Sequence, residues 1–172
     1  MELRLEIPNR THEREYARVM DQWETMEEGL QPELMRRGNI PYHKWLEYCE
    51  DDRTTASMLS THVPATLYFL VNEKQEILGG IVVNHADTKR GHLHAGIVPW
   101  HRGEGCGTAM LALALKECQK MGIRKVHICP NSTANKAAVQ TILNNGGYLL
   151  DEFTEDGHTI ERYEIIPSSS GT

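Results

Sequence analysis

The run IVPWHRGEGCGTAML, residues 97–111, holds the residue spacing best suited to chemistry. Gly103, Gly105 and Gly107 alternate immediately ahead of a stretch with helical periodicity. Glycine lets a backbone turn tightly and approach a ligand closely, while a helix start offers unpaired N–H groups and the positive end of a dipole. Together these make an anion cradle, usually for phosphate. A plain strand-to-helix turn commonly carries one glycine and seldom three, so the cradle is the favoured reading. Two nucleotide loops can be tested against it. A Walker A loop closes on Gly-Lys-Ser/Thr, whereas Gly107 is followed by Thr108-Ala109 with no lysine. A dinucleotide loop needs a further glycine and a carboxylate at the end of the next strand. Thr108 replaces that glycine, and the next strand ends Ile128-Cys129-Pro130-Asn131. Neither loop fits.

His92 and His94 are the candidate bases. Residues i and i+2 of a strand share a face, so both imidazoles are expected to line one cavity, neutral enough at pH 7 to accept a proton. The competing reading makes them hydrogen-bonded sheet residues. No carboxylate or cysteine follows the His-x-His pair at a recognisable ligand spacing, so no metal is expected. Cys106 sits where a helix N-terminus could lower a thiol pKa, but no base accompanies it and it is read as a filler side chain. Trp23 and Trp45 fall at helical spacing and belong to the core, while Trp100 is expected beside whatever the glycine loop holds.

The elements that must position these groups are legible from periodicity. ELRLEI (2–7) alternates and stops at Pro8, and Tyr16, Val19, Met20, Trp23 and Met26 follow at helical spacing behind Asn9 or Thr11 as N-cap. A second helix starts at Pro41 with Tyr42, Trp45 and Cys49 on one face, and residues 50–63 read as loop. TLYFLVN and EILGGIVVN are strands joined across Glu73-Lys74-Gln75, and HLHAGIV (92–98) is a third. A helix from about 105 to 121 ends at Gly122, then come a strand at 125–129 and a helix at 133–144 ended by Gly146-Gly147. YLLDEFT and HTIERYEII pair across Glu155-Asp156-Gly157. This order predicts an α/β (α+β) domain around a mixed, mostly antiparallel sheet, spanning 1–166 with a polar tail at 167–172.

Read as R-x-x-G-x-G, Arg102-Gly103-Glu104-Gly105-Cys106-Gly107 resembles the acyl-CoA pyrophosphate loop of the GNAT acetyltransferase superfamily. The likeness covers about residues 66–166: a strand before the loop, a Leu/Ala-rich helix after it, a short strand, and an Asn-containing loop opening a helix that ends in a Gly-Gly turn. VPATLYFLVNEKQEILGG, GHLHAGIVPWHRGEGCG and ERYEI look like one group of bacterial acetyltransferases. The resemblance implies acetyl-CoA as co-substrate and central strands 92–98 and 125–129 that splay apart. The pantetheine arm would pair with free backbone groups near Ile97 and Val98, and with Asn135. The pyrophosphate would lie on the amides of Gly103, Glu104, Gly105, Cys106, Gly107 and Thr108, with Arg102 opening the loop. Two departures stand out. Glu104 occupies a position that members usually give to lysine, arginine or glutamine, which is unfavourable beside a pyrophosphate unless its carboxylate faces solvent. The tyrosine that often protonates the leaving thiolate falls at Ile142, so Tyr148, just past the Gly-Gly turn, is the nearest replacement. Arylalkylamine N-acetyltransferases also carry His-Leu-His on the strand of His92 and His94, offset by one residue.

Composition narrows the class. The chain has 172 residues, 40% hydrophobic and 24% charged, which suits one globular domain. A net charge of −6 argues against a general nucleic-acid binder, and no stretch approaches the roughly 20 apolar residues of a membrane span. The N-terminus lacks the basic and apolar regions of a signal peptide, and four scattered cysteines read as reduced thiols, so a cytoplasmic protein is expected. The expectation is an N-acetyltransferase moving acetyl from acetyl-CoA to an amine of a small molecule or peptide by direct transfer in a ternary complex, as monomer or homodimer. The alternative is an acyl-CoA-binding sensor on the same scaffold.

Overall fold

Two nearly continuous apolar runs build the centre of the molecule. They form β2 (Ala65–Asn72) and β3 (Ile77–Asn84), paired antiparallel and buried along nearly their whole length. In the computed structural model, residues 2–26, 32–54, 63–130 and 136–167 are described. β1 (Leu3–Glu6) pairs with β2 and β4 (Leu93–Ile97) with β3, giving a 4-stranded antiparallel sheet in the order β1-β2-β3-β4.

The two-residue period of β2 sorts its side chains onto two cores. Leu67, Phe69 and Val71 face one cluster, and Tyr68 and Leu70 face the other. The first is closed by α1 (Glu13–Trp23) and α2 (Tyr42–Thr54) through Tyr16, Val19, Trp23, Tyr42 and Trp45. The second is closed by α3 (Cys106–Lys120), whose Met110, Leu111, Ala114, Leu115 and Cys118 lie on one stripe. A sheet covered on both faces has no polar alternation, which is why β2 and β3 read as continuous apolar runs.

A second sheet of three strands follows in the order β5-β7-β6, made from β5 (Val126–Ile128), β7 (His158–Ile165) and β6 (Tyr148–Glu155). Its hairpin turns through Asp156 and Gly157, both with positive φ (52° and 79°), as a two-residue turn between twisted strands requires. α4 (Lys136–Asn144) precedes β6 and sends Ile142 into the core beneath α3. The expected splay of the central strands is present: among the described residues the strands are joined only where β4 begins, by a bridge between Gly91 and Ile128 and by hydrogen bonds from His92 N–H to His127 O at 2.7 Å and from His127 N–H to His92 Nδ1 at 3.0 Å.

One element runs past its expected end. Residues 50–54 continue α2, with Thr54 Oγ1 donating to Glu50 O at 2.6 Å. The apolar stripe of that helix stops at Cys49, so its last turn carries no periodic signal. Residues 55–62 and the tail at 168–172 lie outside the described residues.

Candidate active site

Where β4 and β5 part, they leave a cavity of about 650 Å³. One wall is β4 from Leu93 to Ile97, the facing wall is Ile128, Cys129 and Pro130, and α4 adds Ala137, Gln140, Thr141 and Asn144. The floor is apolar, from Ile81, Met110, Leu111 and Ile142, and the glycine loop with His101 and Arg102 closes one end.

β4 supplies the cavity with backbone groups as well as side chains. Asn84 N–H donates to His92 O at 2.7 Å, and Val98 N–H donates to Leu78 O at 2.9 Å. In an antiparallel ladder the groups of alternate residues point the same way, so 94, 96 and 98 are spent on β3, while His92 gives β3 its carbonyl and donates its N–H to His127 O. The peptide groups of Leu93, Ala95 and Ile97 therefore face the gap. This corrects the expectation for Val98: its N–H is taken by β3 and its side chain is fully buried among the α1–α2 cluster. Ala95, which carries no side-chain chemistry, gave no sequence signal of its own.

The loop is held by glycine for two different reasons. Gly103 and Gly105 adopt φ of 80° and 82°, and a Cβ on either would meet nothing within 4 Å. Conformation, not space, demands glycine there, and the space in front of the loop is open. Gly107 lies in the first turn of α3, where a Cβ would come 3.3 Å from Thr141 Oγ1, so it sets the approach of α3 to α4. Arg102 N–H reaches Pro99 O and Ala109 N–H reaches Gly105 O. Among the described residues no acceptor faces the amides of 103–108 between them. Unpaired donors at a helix start are suited to hold an anion. Glu104 is not among the residues lining the cavity; its half-exposed carboxylate pairs with His101 Nδ1 at 3.1 Å. Cys106 is buried, and burial, then the charge of Glu104, pushes its thiol pKa up, which is the reverse of activation.

The two histidines part company. His94 lines the cavity, and burial first, then the positive charge of Arg90, lowers its pKa below the ordinary histidine value. It is thereby held neutral, as a base must be. His92 does not share that cavity. Gly91 takes φ of 89°, and His92 precedes the first residue of β4, so strand alternation does not extend to it. Its Nδ1 accepts from the His127 N–H at 3.0 Å, and its ring lies beside Asp87 and His127. Tyr148 is also elsewhere: its hydroxyl donates to Glu164 Oε2, on the second sheet. Ile142 is in the cavity floor, so the position expected for a tyrosine acid is filled by a buried alkyl side chain. Asn135 lies outside the described residues.

Tryptophan assignments are partly exchanged. Trp23 is buried as expected, yet it also contributes to the cavity wall, whereas Trp100 packs on the α1–α2 cluster. The short helical turn Pro99–His101 swings His101 rather than Trp100 to the cavity. Among the described residues no carboxylate lines it.

The fold and the open glycine loop define a class, and the comparisons give its name. The chain matches the model of the acetyltransferase (GNAT) family over residues 18–144 and belongs to that family. Solved structures agree in fold. Spermidine N-acetyltransferase from Vibrio cholerae, in complex with CoA and spermine, has a TM-score of 0.62 at 14% identity, covering 96% of this chain and 95% of that one. An acetyltransferase of the GNAT family from Streptococcus pneumoniae has a TM-score of 0.64 at 15% identity, covering 96% of this chain and 99% of that one. A search of curated proteins gives no match. Among the described residues no helix is long and apolar enough to cross a membrane.

Proposed function

We propose that this acetyltransferase transfers acetyl from acetyl-CoA directly to a primary amine of a small molecule or peptide, with His94 as general base. The observation that carries the reading is the single cavity bounded by unpaired loop amides at one end and by His94 on its wall. The amides of 103–108, with Arg102 beside them, suit the pyrophosphate, and the peptide groups of Ala95 and Ile97 suit the amides of a pantetheine arm. Asn135 is assigned to the same arm on resemblance alone.

Acetyl-CoA supplies the activated acetyl group. An alkylammonium is only about 0.1% neutral at pH 7, so its deprotonation limits any direct attack. The apolar floor disfavours the charged amine, and His94, neutral in its own half-buried setting, accepts the proton. Attack of the freed lone pair on the thioester carbonyl forms the C–N bond and breaks the C–S bond. The second proton lost by nitrogen ends on the departing sulfur. His92 and Tyr148 have no part in this scheme, because both are committed to the cluster on the second sheet.

Thiol release after mixing the protein with acetyl-CoA and a panel of amines tests the reading. Release that depends on an amine is expected. Acetyl-CoA binding with no amine-dependent thiol release across diamines, amino acids and peptides would overturn it.

A further inference from the structure

Outside the cavity, where the two sheets touch, Asp87, His92 and His127 each offer a ligand atom, and these atoms all lie within 4.8 Å of one another. None of the three lines the acyl cavity. We infer that they form a binding site for one divalent transition-metal ion of the zinc class, which pins the turn ahead of β4 to β5.

The donor set decides the class of ion. Two imidazoles and a carboxylate suit zinc and its borderline neighbours, whereas calcium and magnesium call for all-oxygen shells. The distances are close to what such an ion needs. Asp87 Oδ2 is 2.6 Å from His127 Nδ1, and Asp87 Oδ1 is 3.8 Å from His92 Nδ1. A tetrahedral ion with bonds of ~2.1 Å sets its ligand atoms ~3.4 Å apart, so one pair opens and the other closes by small side-chain rotations.

The surroundings of His127 are those of a metal ligand. Its other nitrogen, Nε2, lies 3.0 Å from Glu164 Oε1, and the second oxygen of Glu164 accepts from Tyr148. A carboxylate on the far nitrogen fixes the ring and raises its basicity toward a metal. Glu164 is itself 6% exposed, and a dication on the opposite nitrogen of the His127 ring compensates a buried carboxylate. Asp87 is half-exposed, which leaves an entry path and room for water as a further ligand. His92 is the weakest of the three, since its Nδ1 must release the His127 N–H to coordinate. The sequence shows none of this, because Asp87 and His127 stand 40 positions apart and meet only across the sheet junction.

Metal-stripped full-length protein, titrated with Zn²⁺ by calorimetry at pH 7, is expected to bind one ion per chain, with a Tm that rises with free Zn²⁺. Asp87→Asn and His127→Ala should each lower the affinity at least ~10-fold, and Glu164→Gln should weaken it by about 10–100-fold through the His127 ring. Asp87 is on an exposed turn, so Asp87→Asn keeps the fold, and an unchanged circular dichroism spectrum verifies this before the titration. Co²⁺ should give the visible bands of a four-coordinate nitrogen–oxygen site. Absence of saturable Zn²⁺ binding by the wild type overturns the inference, as does binding that Asp87→Asn and His127→Ala leave unchanged.

Discussion

Burial, reinforced by Arg90, holds His94 neutral, and this has a kinetic signature. A base with a lowered pKa stays competent as pH falls past the ordinary histidine value of about 6.5 and is lost only below it. The acid limb of kcat/KM is therefore expected below pH 6.5, and His94→Ala should lack it. The same variant should lower kcat/KM by roughly 10²–10⁴-fold with acetyl-CoA affinity nearly unchanged, as steady-state rates and calorimetry would measure. His92→Ala is expected to do the opposite. It leaves the part-buried His127 N–H without its acceptor and should cost about 1–3 kcal/mol in urea unfolding, while turnover per folded molecule stays near normal. Equal kinetic losses in the two variants would contradict this division. The pair looks equivalent in sequence because HLH alternates like any strand. The left-handed turn at Gly91 that separates them has no signature beyond one glycine, a residue that every turn can carry.

Around β4 the fold places two glycines, Gly105 in the loop before α3 and Gly79 on β3, that respond differently to substitution. Gly105→Val puts a branched residue at φ 82° in open space, so the penalty falls on the loop conformation and not on packing. The left-handed strain costs roughly 1–2 kcal/mol, and the expected outcome is a folded protein that no longer gains Tm with acetyl-CoA. A full shift in that variant would remove the cradle argument. Gly79 on β3 is the converse. A Cβ there would lie 2.6 Å from Gly96 O, backbone against backbone, so Gly79→Ala must push β4 away from β3. Overpacking of this kind costs typically about 1–3 kcal/mol, and weaker acetyl-CoA binding should accompany it because β4 is a cavity wall. The loop, its helix and the strands on either side were legible because alternating glycines and periodic apolar residues are local signals. The contribution of α4 was not. Gln140, Thr141 and Asn144 reach the cavity only because α4 packs on α3 across Gly107, a contact between segments with no shared pattern. The last turn of α2 escaped for a simpler reason: Glu50–Thr54 is polar on all sides and bears no stripe to read.

At the scale of the whole molecule, two sheets are joined through a narrow junction. Where β4 begins, it and β5 share one bridge and two hydrogen bonds between His92 and His127 before they diverge; Asp87 reaches His127 beside them, and α3 with its core supplies further contact. A ligand filling the gap would touch both sheets at once: the peptide groups of Ala95 and Ile97 on one side, and Ile128 and Pro130 on the other. Binding to the native state alone stabilises by mass action, about 2.7 kcal/mol at a hundred times Kd. For a domain of this size that corresponds to a Tm rise of about 5–10 °C. The distribution of that stabilisation is the sharper test. Strands on the two sides of a gap open independently when the gap is empty, and local opening is what amide exchange reads. Acetyl-CoA should therefore slow exchange at 93–97 and at 126–128 together, as well as at the loop amides of 103–108. Protection confined to 103–108 would mean that the phosphates are held but the acyl arm does not enter the gap. In that case His94 would stand too far from the thioester to act as its base, whatever its pKa.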